Sequence, residues 1–420
     1  MAMLGTLYSW SLISQALIDG FGWPHTQATA AFSWAVFFVG VGALAGGRWQ
    51  DKAGPRIVTL TGVALWGTGN MLAGLGTARF GPLWLYLTYG VVGGLGVGLG
   101  YVTPVATAIK WFPDRPGLAG GLVAAGFGLG AVVYDLIATA VPAFSAATAD
   151  HAIGVPAPEH ARAALAALTW LGIALLVFGL PCASFVRNPP VPVTVPACFA
   201  ACQSEGSFTT AEMLRTPQFF LLWLMFFTNV AAGILLIANV VPITEELSHA
   251  TPLIAARIYA VAAVANAAGR LFWGAVSDRI GHNSTYALLF GIQAVAFFAI
   301  GGLHDVAGLA LALAVVLLCF GGAFGVMPSF NTRYFGTAHM GANYGVLLTA
   351  WGCAGIAGPL LAAKAADIAG SFAHALDIEA AVLVAAILLP SVNRPPRRSR
   401  RQSDAYTCIE PSRSAFHSTD

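Results

Sequence analysis

The sequence predicts an all-α membrane protein of 12 transmembrane helices arranged as two six-helix bundles. Hydrophobic residues make up 57% of the 420 residues and charged residues only 9%, whereas a soluble domain carries roughly 25% charged residues. This composition excludes a water-soluble enzyme, a disordered chain and a nucleic-acid-binding protein. Strict alternation of apolar and polar residues is absent, so a membrane β-barrel is not supported.

Long apolar runs recur along the whole chain, and about 20 residues make one membrane-spanning helix. Backbone groups in lipid must find partners within their own segment, so the runs are predicted to be helices. The first run starts at Met1 and soon meets Asp19, which predicts either a complete but marginal helix or one truncated at its start. The runs lie near residues 2–18, 28–47, 57–77, 83–109, 117–142, 163–186, 217–243, 252–276, 284–303, 306–330, 340–363 and 372–392.

The longest polar stretch in the interior divides the chain into two halves. It predicts an N-terminal bundle over 1–186, a linker over 187–216, a C-terminal bundle over 217–392 and a basic tail over 393–420. The tail begins with the run RPPRRSRR (394–401), whose arginines are expected to contact anionic lipid headgroups.

The cations predict the orientation. With the linker in the cytoplasm, 15 of the 20 Lys and Arg residues lie on the cytoplasmic side, 4 lie on the other side, and Arg270 lies inside a helix. Cytoplasmic loops of membrane proteins carry such an excess. We therefore expect a multi-pass protein of the cell (inner) membrane with both termini in the cytoplasm.

One short motif occurs twice, 227 residues apart, each time after the second helix of a half. Its spacing is Gly-x-x-x-Asp-basic-x-Gly, and tandem halves of this kind are typical of transporters. A carboxylate at a helix end can cap the N-terminus of a neighbouring helix, so the loops are predicted to act in gating. The alternative is two ordinary loops whose basic residues obey the charge rule. The motif residues are Gly47, Asp51, Lys52 and Gly54, and Gly274, Asp278, Arg279 and Gly281.

These loops resemble those of the major facilitator superfamily, and other segments resemble its oxalate/formate antiporter branch, a monocarboxylate-type group. The resemblance covers nearly the whole chain and implies two six-helix bundles, a central substrate cavity and alternating access. The segments that carry it are GRWQDKAGPR (47–56), KWFPDRPGLAGGLVAAGFGLGA (110–131), AEMLRTPQFFLLW (211–223), GRLFWGAVSDRIG (269–281), and 330–345 with NTRYFG and NYG.

Arg270 is the principal candidate for binding substrate. A charge at membrane depth costs several kcal/mol unless it is paired or faces water, and a guanidinium suits a carboxylate in a bidentate arrangement. The resemblance also matches Arg270 to a substrate-binding arginine. Asn266, four residues earlier on the same helix face, is expected to orient it. The alternative is an arginine that extends towards the cytoplasm.

The resemblance places Trp351 where the oxalate carrier has a second cation. A dicarboxylate needs two cationic partners, because an unpaired buried charge is heavily penalised. One arginine and one indole therefore favour a monocarboxylate with an apolar or hydroxylated tail.

Aromatic side chains are further candidates for the cavity wall. Tyr8 and Tyr101 match tyrosines of the family, and their hydroxyls could bind a carboxylate. Phe127, Phe320 and Phe324 lie where the oxalate carrier has more polar aromatics. The alternative for all five is ordinary helix packing.

Asp135 is the candidate for carrying a coupling proton. It lies deep in the fifth predicted helix, where burial would favour the protonated acid. The alternative is a solvated acid at the outer mouth without a role in transport.

Together these features predict a secondary active transporter of small organic anions, above all monocarboxylates, working by antiport or proton symport. The alternatives are a non-transporting membrane receptor or sensor on the same scaffold and a true oxalate:formate exchanger. No catalytic constellation is recognisable, so an enzyme is not expected. No cofactor is expected, and no cysteine or histidine spacing typical of a metal site occurs. The expected partners are a small carboxylate, protons and membrane lipids, without nucleic acid, and the expected state is a monomer.

Overall fold

The computed structural model describes residues 1–130, 133–134, 157–190, 207–369 and 373–396. Within these ranges the regular structure is entirely helical, and the chain starts with a 3₁₀ turn, Leu4–Ser9. In chain order the helices are α1 (Trp10–Phe21), α2 (His25–Ala53), α3 (Pro55–Phe80), α4 (Pro82–Trp111), α5 (Pro116–Gly128), α6 (Ala157–Ala174), α7 (Leu180–Ser184), α8 (Thr210–Met213), α9 (Pro217–Ser248), α10 (Pro252–Ile280), α11 (His282–Ile300), α12 (Val306–Phe335), α13 (Met340–Leu347), α14 (Thr349–Ala369), α15 (Ala373–Ala386) and α16 (Leu388–Val392).

The predicted all-α membrane fold is confirmed. The described part of each apolar run is mostly helical, with turns or coil at the ends of some runs, such as 2–3 and 301–303. Eight helices in the described part of the chain are long and apolar enough to cross a membrane. The total of 12 spans stays a prediction, as do the limits of the two bundles, because parts of the fifth run, the linker and the tail lie outside the described residues.

Proline and glycine set the helix boundaries next to the repeated motif. α3 begins with Pro55 at its first position, where the missing N–H costs no hydrogen bond. The last glycine of each motif copy ends the preceding helix with a positive φ, 82° at Gly54 and 86° at Gly281. Glycine adopts this left-handed conformation without steric cost, so the same residue ends the second helix of each half.

The connections α2–α3, α4–α5, α10–α11 and α12–α13 lie on one face, together with the two described ends of the linker. The Trp111 indole donates to the Arg187 carbonyl at 2.9 Å, and the Phe208 amide donates to the Phe335 carbonyl at 2.8 Å. We call this face the linker side.

Helices of the two halves pack closely at the centre of the molecule. α2 packs against α13 and α14, and α5 packs against α10, which also lies along α12. A Cβ on Gly121 of α5 or on Gly325 of α12 would collide with the Arg270 carbonyl of α10. Small residues thus let both helices approach α10 at the level of Arg270.

Candidate functional site

Arg270 is fully buried between the two halves. Its Nη1 donates to the Ala124 carbonyl of α5 at 3.0 Å, and its Nε donates to the Asn266 Oδ1 at 3.4 Å. Its Nη2 is buried and has no hydrogen-bond partner among the described residues. One edge of the guanidinium is therefore fixed by protein, and the remaining nitrogen can donate to a ligand.

Three aromatic rings surround this guanidinium. Its carbon lies 4.7 Å from the centre of the Phe324 ring, 5.4 Å from that of Phe127 and 5.9 Å from that of Tyr8. Cation–π contacts of this kind stabilise a desolvated cation by up to about 2 kcal/mol each. No acidic side chain in the described ranges forms a salt bridge with Arg270. The aromatic rings thus replace a carboxylate partner, and the charge stays available to an anion.

Trp351 closes the aromatic cluster on the opposite side. Its ring centre lies 5.0 Å from Phe324, 5.3 Å from Tyr101, 5.7 Å from Phe127 and 6.4 Å from Tyr8. These separations and the steep angles between the rings are typical of edge-to-face packing. The result is a closely packed aromatic enclosure at the interface of α4, α5, α12 and α14.

Several polar atoms inside this enclosure are unsatisfied. The Tyr8, Tyr101 and Tyr344 hydroxyls and the Trp351 Nε1 are buried without a well-aligned hydrogen bond in the part of the chain that the structure describes. The Tyr8 hydroxyl lies close to Arg270, and those of Tyr101 and Tyr344 interact with each other. All of these groups can donate hydrogen bonds, so together with Arg270 they suit a ligand rich in acceptor oxygens.

The structure brings together every predicted substrate-binding residue. Arg270, Asn266, Tyr8, Tyr101, Trp351 and Phe324 lie in or directly beside the enclosure. Phe320 lies at its edge, where its ring centre is 5.2 Å from Phe324 and 6.4 Å from Tyr8. A small cavity lies beside Tyr8 and Asn266, and its other lining residues are Gly128, Ile237, Tyr259, Ala263 and Leu317.

Two residues of the cluster and one buried acid in α15 were not predicted from the sequence. Tyr344 contributes one of the unsatisfied hydroxyls, and Phe226 packs on Phe324 at 5.0 Å. Glu379 of α15 is only 3% exposed although it is ionisable. Tyr344 lies in the NYG segment, which resembles the family, and Glu379 is an ionisable residue inside the last apolar run. Both features could have identified these two residues from the sequence. The proton-coupling candidate, Asp135, lies outside the described residues.

The aspartates of the repeated motif lie at helix N-termini of the opposite half. The Asp51 Oδ2 accepts from the Ala342 amide in the first turn of α13 at 2.7 Å. The Asp278 Oδ1 and Oδ2 accept from the Gly117 and Leu118 amides in the first turn of α5, each at 3.0 Å. A negative charge at such an N-terminus satisfies free N–H groups and opposes the helix dipole. Each half therefore holds a helix of the other on the linker side.

The other motif residues lie next to these aspartate contacts. A Cβ on Gly47 would collide with the Gly341 carbonyl, and one on Gly274 would lie 2.5 Å from the Gly117 carbonyl. The helices can meet there only because both residues are glycine. Lys52 and Arg279 are exposed at the helix ends, whereas Lys110 lies 3.9 Å from the Asp51 Oδ1.

Known proteins place the chain in a family. Residues 1–359 match the Major Facilitator Superfamily. The "Oxalate:formate antiporter" of Oxalobacter formigenes is 33% identical over 404 residues, which are 94% of this chain and 90% of that protein. The "Apicoplast pyruvate carrier 1" of Toxoplasma gondii is 27% identical over 351 residues, 72% of this chain and 63% of that protein. "Monocarboxylate transporter 13" of Bos taurus is 23% identical over 91% of this chain and 84% of its own length.

Solved structures agree on the fold. A crystal structure of the E. coli fucose:proton symporter covers 94% of this chain and 97% of its own, with a TM-score of 0.67 at 15% identity. A structure of a proton:xylose symporter covers 94% of both chains with a TM-score of 0.70 at 15% identity. The chain is thus a multi-pass membrane protein of the major facilitator superfamily, in the branch of the oxalate:formate antiporter, as its loop motifs and the segments around them predict.

Proposed function

We propose that this protein is a secondary transporter of small monocarboxylates that works by alternating access. The observation that carries the proposal is Arg270, which is fully buried and whose Nη2 has no partner among the described residues, in the same cluster as the hydrogen-bond donors of Tyr8, Tyr101 and Trp351. A carboxylate supplies the negative charge and the acceptor oxygens that this arrangement lacks. The names of three relatives refer to oxalate and formate, to pyruvate, and to monocarboxylates.

The charge of the enclosure favours one carboxylate over two. Arg270 is the only cation among the described residues that line the enclosure, and the facing position is Trp351. A dicarboxylate would leave one charge unpaired in a desolvated site, at a cost of several kcal/mol. The aromatic walls instead suit a short apolar tail. Exchange of oxalate for formate is the second candidate, because the 33% identical relative is an oxalate:formate antiporter.

The aspartate contacts supply the gate that alternating access requires. In this conformation Asp51 and Asp278 hold the two halves together on the linker side. We take the linker side to be cytoplasmic, because most cations lie there. Opening towards the cytoplasm would break both contacts, whereas opening on the opposite face would leave them in place.

Uptake by reconstituted vesicles tests this function. Purified protein in liposomes is loaded with unlabelled anion, and uptake of labelled formate, lactate, acetate, oxalate and malonate is measured. Monocarboxylate uptake above that of protein-free liposomes, with weak competition by dicarboxylates, is expected. Oxalate as the preferred substrate would favour the exchanger, and no uptake of any carboxylate would contradict the proposal.

A further inference from the structure

The described end of the linker docks on the same helix turn that Asp51 holds. Thr210, the first residue of α8, donates through its hydroxyl to the Asn343 Oδ1 at 2.9 Å. The Asn343 Nδ2 donates to the Phe208 carbonyl at 3.0 Å. Asn343 is fully buried in α13, one residue after Ala342, whose amide donates to Asp51. Two segments that are distant in sequence therefore hold one turn of α13.

A second set of contacts fixes this part of the linker to the end of α12. The Phe208 and Phe335 rings meet edge to face with their centres 5.7 Å apart, and the Phe208 amide donates to the Phe335 carbonyl at 2.8 Å. The Ala338 amide, in the α12–α13 connection, donates to the Ser207 hydroxyl at 3.2 Å. The segment 207–210 thus contacts both sides of that connection.

The local sequence stiffens this segment. Thr209 and Glu212 form a capping box at the start of α8, in which the Thr209 amide donates to the Glu212 Oε2 at 2.8 Å and the Glu212 amide donates to the Thr209 hydroxyl at 3.3 Å. Such a box satisfies two free N–H groups reciprocally. Thr210 is therefore presented to Asn343 by a defined turn and not by an extended chain.

From these contacts we propose that Asn343 is a positioning residue of the cytoplasmic gate, and that residues 207–210 act as a latch on it. The Asn343 amide satisfies both its acceptor and one of its donors on the linker, which fixes the first turn of α13 where the Ala342 amide meets Asp51. The inference rests on the alternating-access gate proposed above, and it adds the linker as a part that sets how readily the gate opens.

Spin-label distances measure opening of the gate without any substrate. Labels at the exposed positions Arg56, in the N-terminal half, and Arg333, in the C-terminal half, are introduced as cysteines after replacement of the native cysteines. Pulsed dipolar spectroscopy of the full-length protein in lipid then gives the ratio of long to short distances. Thr210→Val loses one hydrogen bond to Asn343 and is expected to raise this ratio about tenfold. Asn343→Ala loses two hydrogen bonds and is expected to raise it by at least as much. Thr210→Ser keeps the hydroxyl and is expected to match the parent protein.

A double variant separates positioning from mere stabilisation. If Asn343 acts by placing the turn that Asp51 contacts, Asp51→Asn combined with Asn343→Ala should open the gate no further than the stronger single variant. Full additivity of the two effects would overturn the proposal. So would an unchanged distance distribution in Asn343→Ala, even with a lowered melting temperature. The distances need no substrate, so a shifted distribution in a protein that moves no carboxylate would contradict the proposed substrate and leave the latch intact.

Discussion

At the scale of single residues, the central site depends on a buried arginine that has no carboxylate partner in the part of the chain that the structure describes. A buried charge without any compensating partner is strongly destabilising. The guanidinium of Arg270 is instead stabilised by the Ala124 carbonyl, by Asn266 and by the faces of aromatic rings. None of these partners neutralises its charge. The buried guanidinium is therefore stabilised in the absence of substrate, and its positive charge still favours binding of an anion.

Removal of this charge should abolish transport. Arg270→Ala would leave a bound carboxylate desolvated without a cation, so uptake is expected to fall by two or more decades at about 1.4 kcal/mol per decade. Arg270→Lys should restore little, since an ammonium cannot reproduce the planar fork. Arg257→Ala, at an exposed position of the same helix, is the matched control. The measurement is the initial rate of monocarboxylate uptake by each variant. Normal transport by Arg270→Ala would refute the assignment of Arg270 as the residue that binds the carboxylate.

Trp351 should determine the number of charges on the substrate. Trp351→Lys adds a second cation opposite Arg270, so preference is expected to shift from monocarboxylates towards dicarboxylates. Trp351→Phe keeps a ring but loses the Nε1 donor, and it should weaken binding without changing the preference. Competition by oxalate, lactate and formate is compared in the parent protein and both variants. If the parent protein already prefers oxalate to lactate, the one-cation interpretation is wrong.

At the scale of helices, each of the two motif aspartates caps a helix N-terminus of the opposite half, but the two contacts differ in environment. The Asp51 side chain is only 13% exposed, whereas Asp278 is exposed. Hydrogen bonds to a carboxylate gain strength as water is excluded, and salt screens exposed charges more than buried ones. The duplication thus supplies two similar contacts of unequal strength.

This inequality predicts an order of effects. Asp51→Ala should raise the population open on the linker side more than Asp278→Ala, and added salt should weaken the Asp278 contact more than that of Asp51. Lys52→Ala, at an exposed position, should have little effect. The spin-label distances between positions 56 and 333 report each population at low and high salt. A larger effect of Asp278→Ala than of Asp51→Ala would contradict this order.

At the scale of the whole molecule, composition and the recurring apolar runs predicted an all-helical membrane protein, and the resemblance of the loop motifs implied the major facilitator fold. The positions of Arg270, Tyr8, Tyr101 and Trp351 in one cluster were expected, because the family resemblance matches them and a charge inside an apolar run stands out. Their role in binding substrate stays a prediction. The contacts of Asn343 were not predictable, since Thr210 and Phe208 lie 133 and 135 residues from it. A polar residue in a polar linker carries no signal of its partner, and only the folded chain brings the two together.

Proton coupling is a property of the whole transport cycle, and its candidate carrier, Asp135, is known from the sequence alone because it lies outside the described residues. A carboxylic acid in an apolar helix can bind and release a proton as its access to water changes. Asp135→Asn should therefore abolish accumulation driven by a proton gradient while leaving exchange intact, since exchange requires no net change of protonation. Asp377→Asn, at an exposed position of α15, is the control. Labelled monocarboxylate is followed with and without an imposed pH gradient, and unchanged accumulation in Asp135→Asn would show that Asp135 is not the proton carrier.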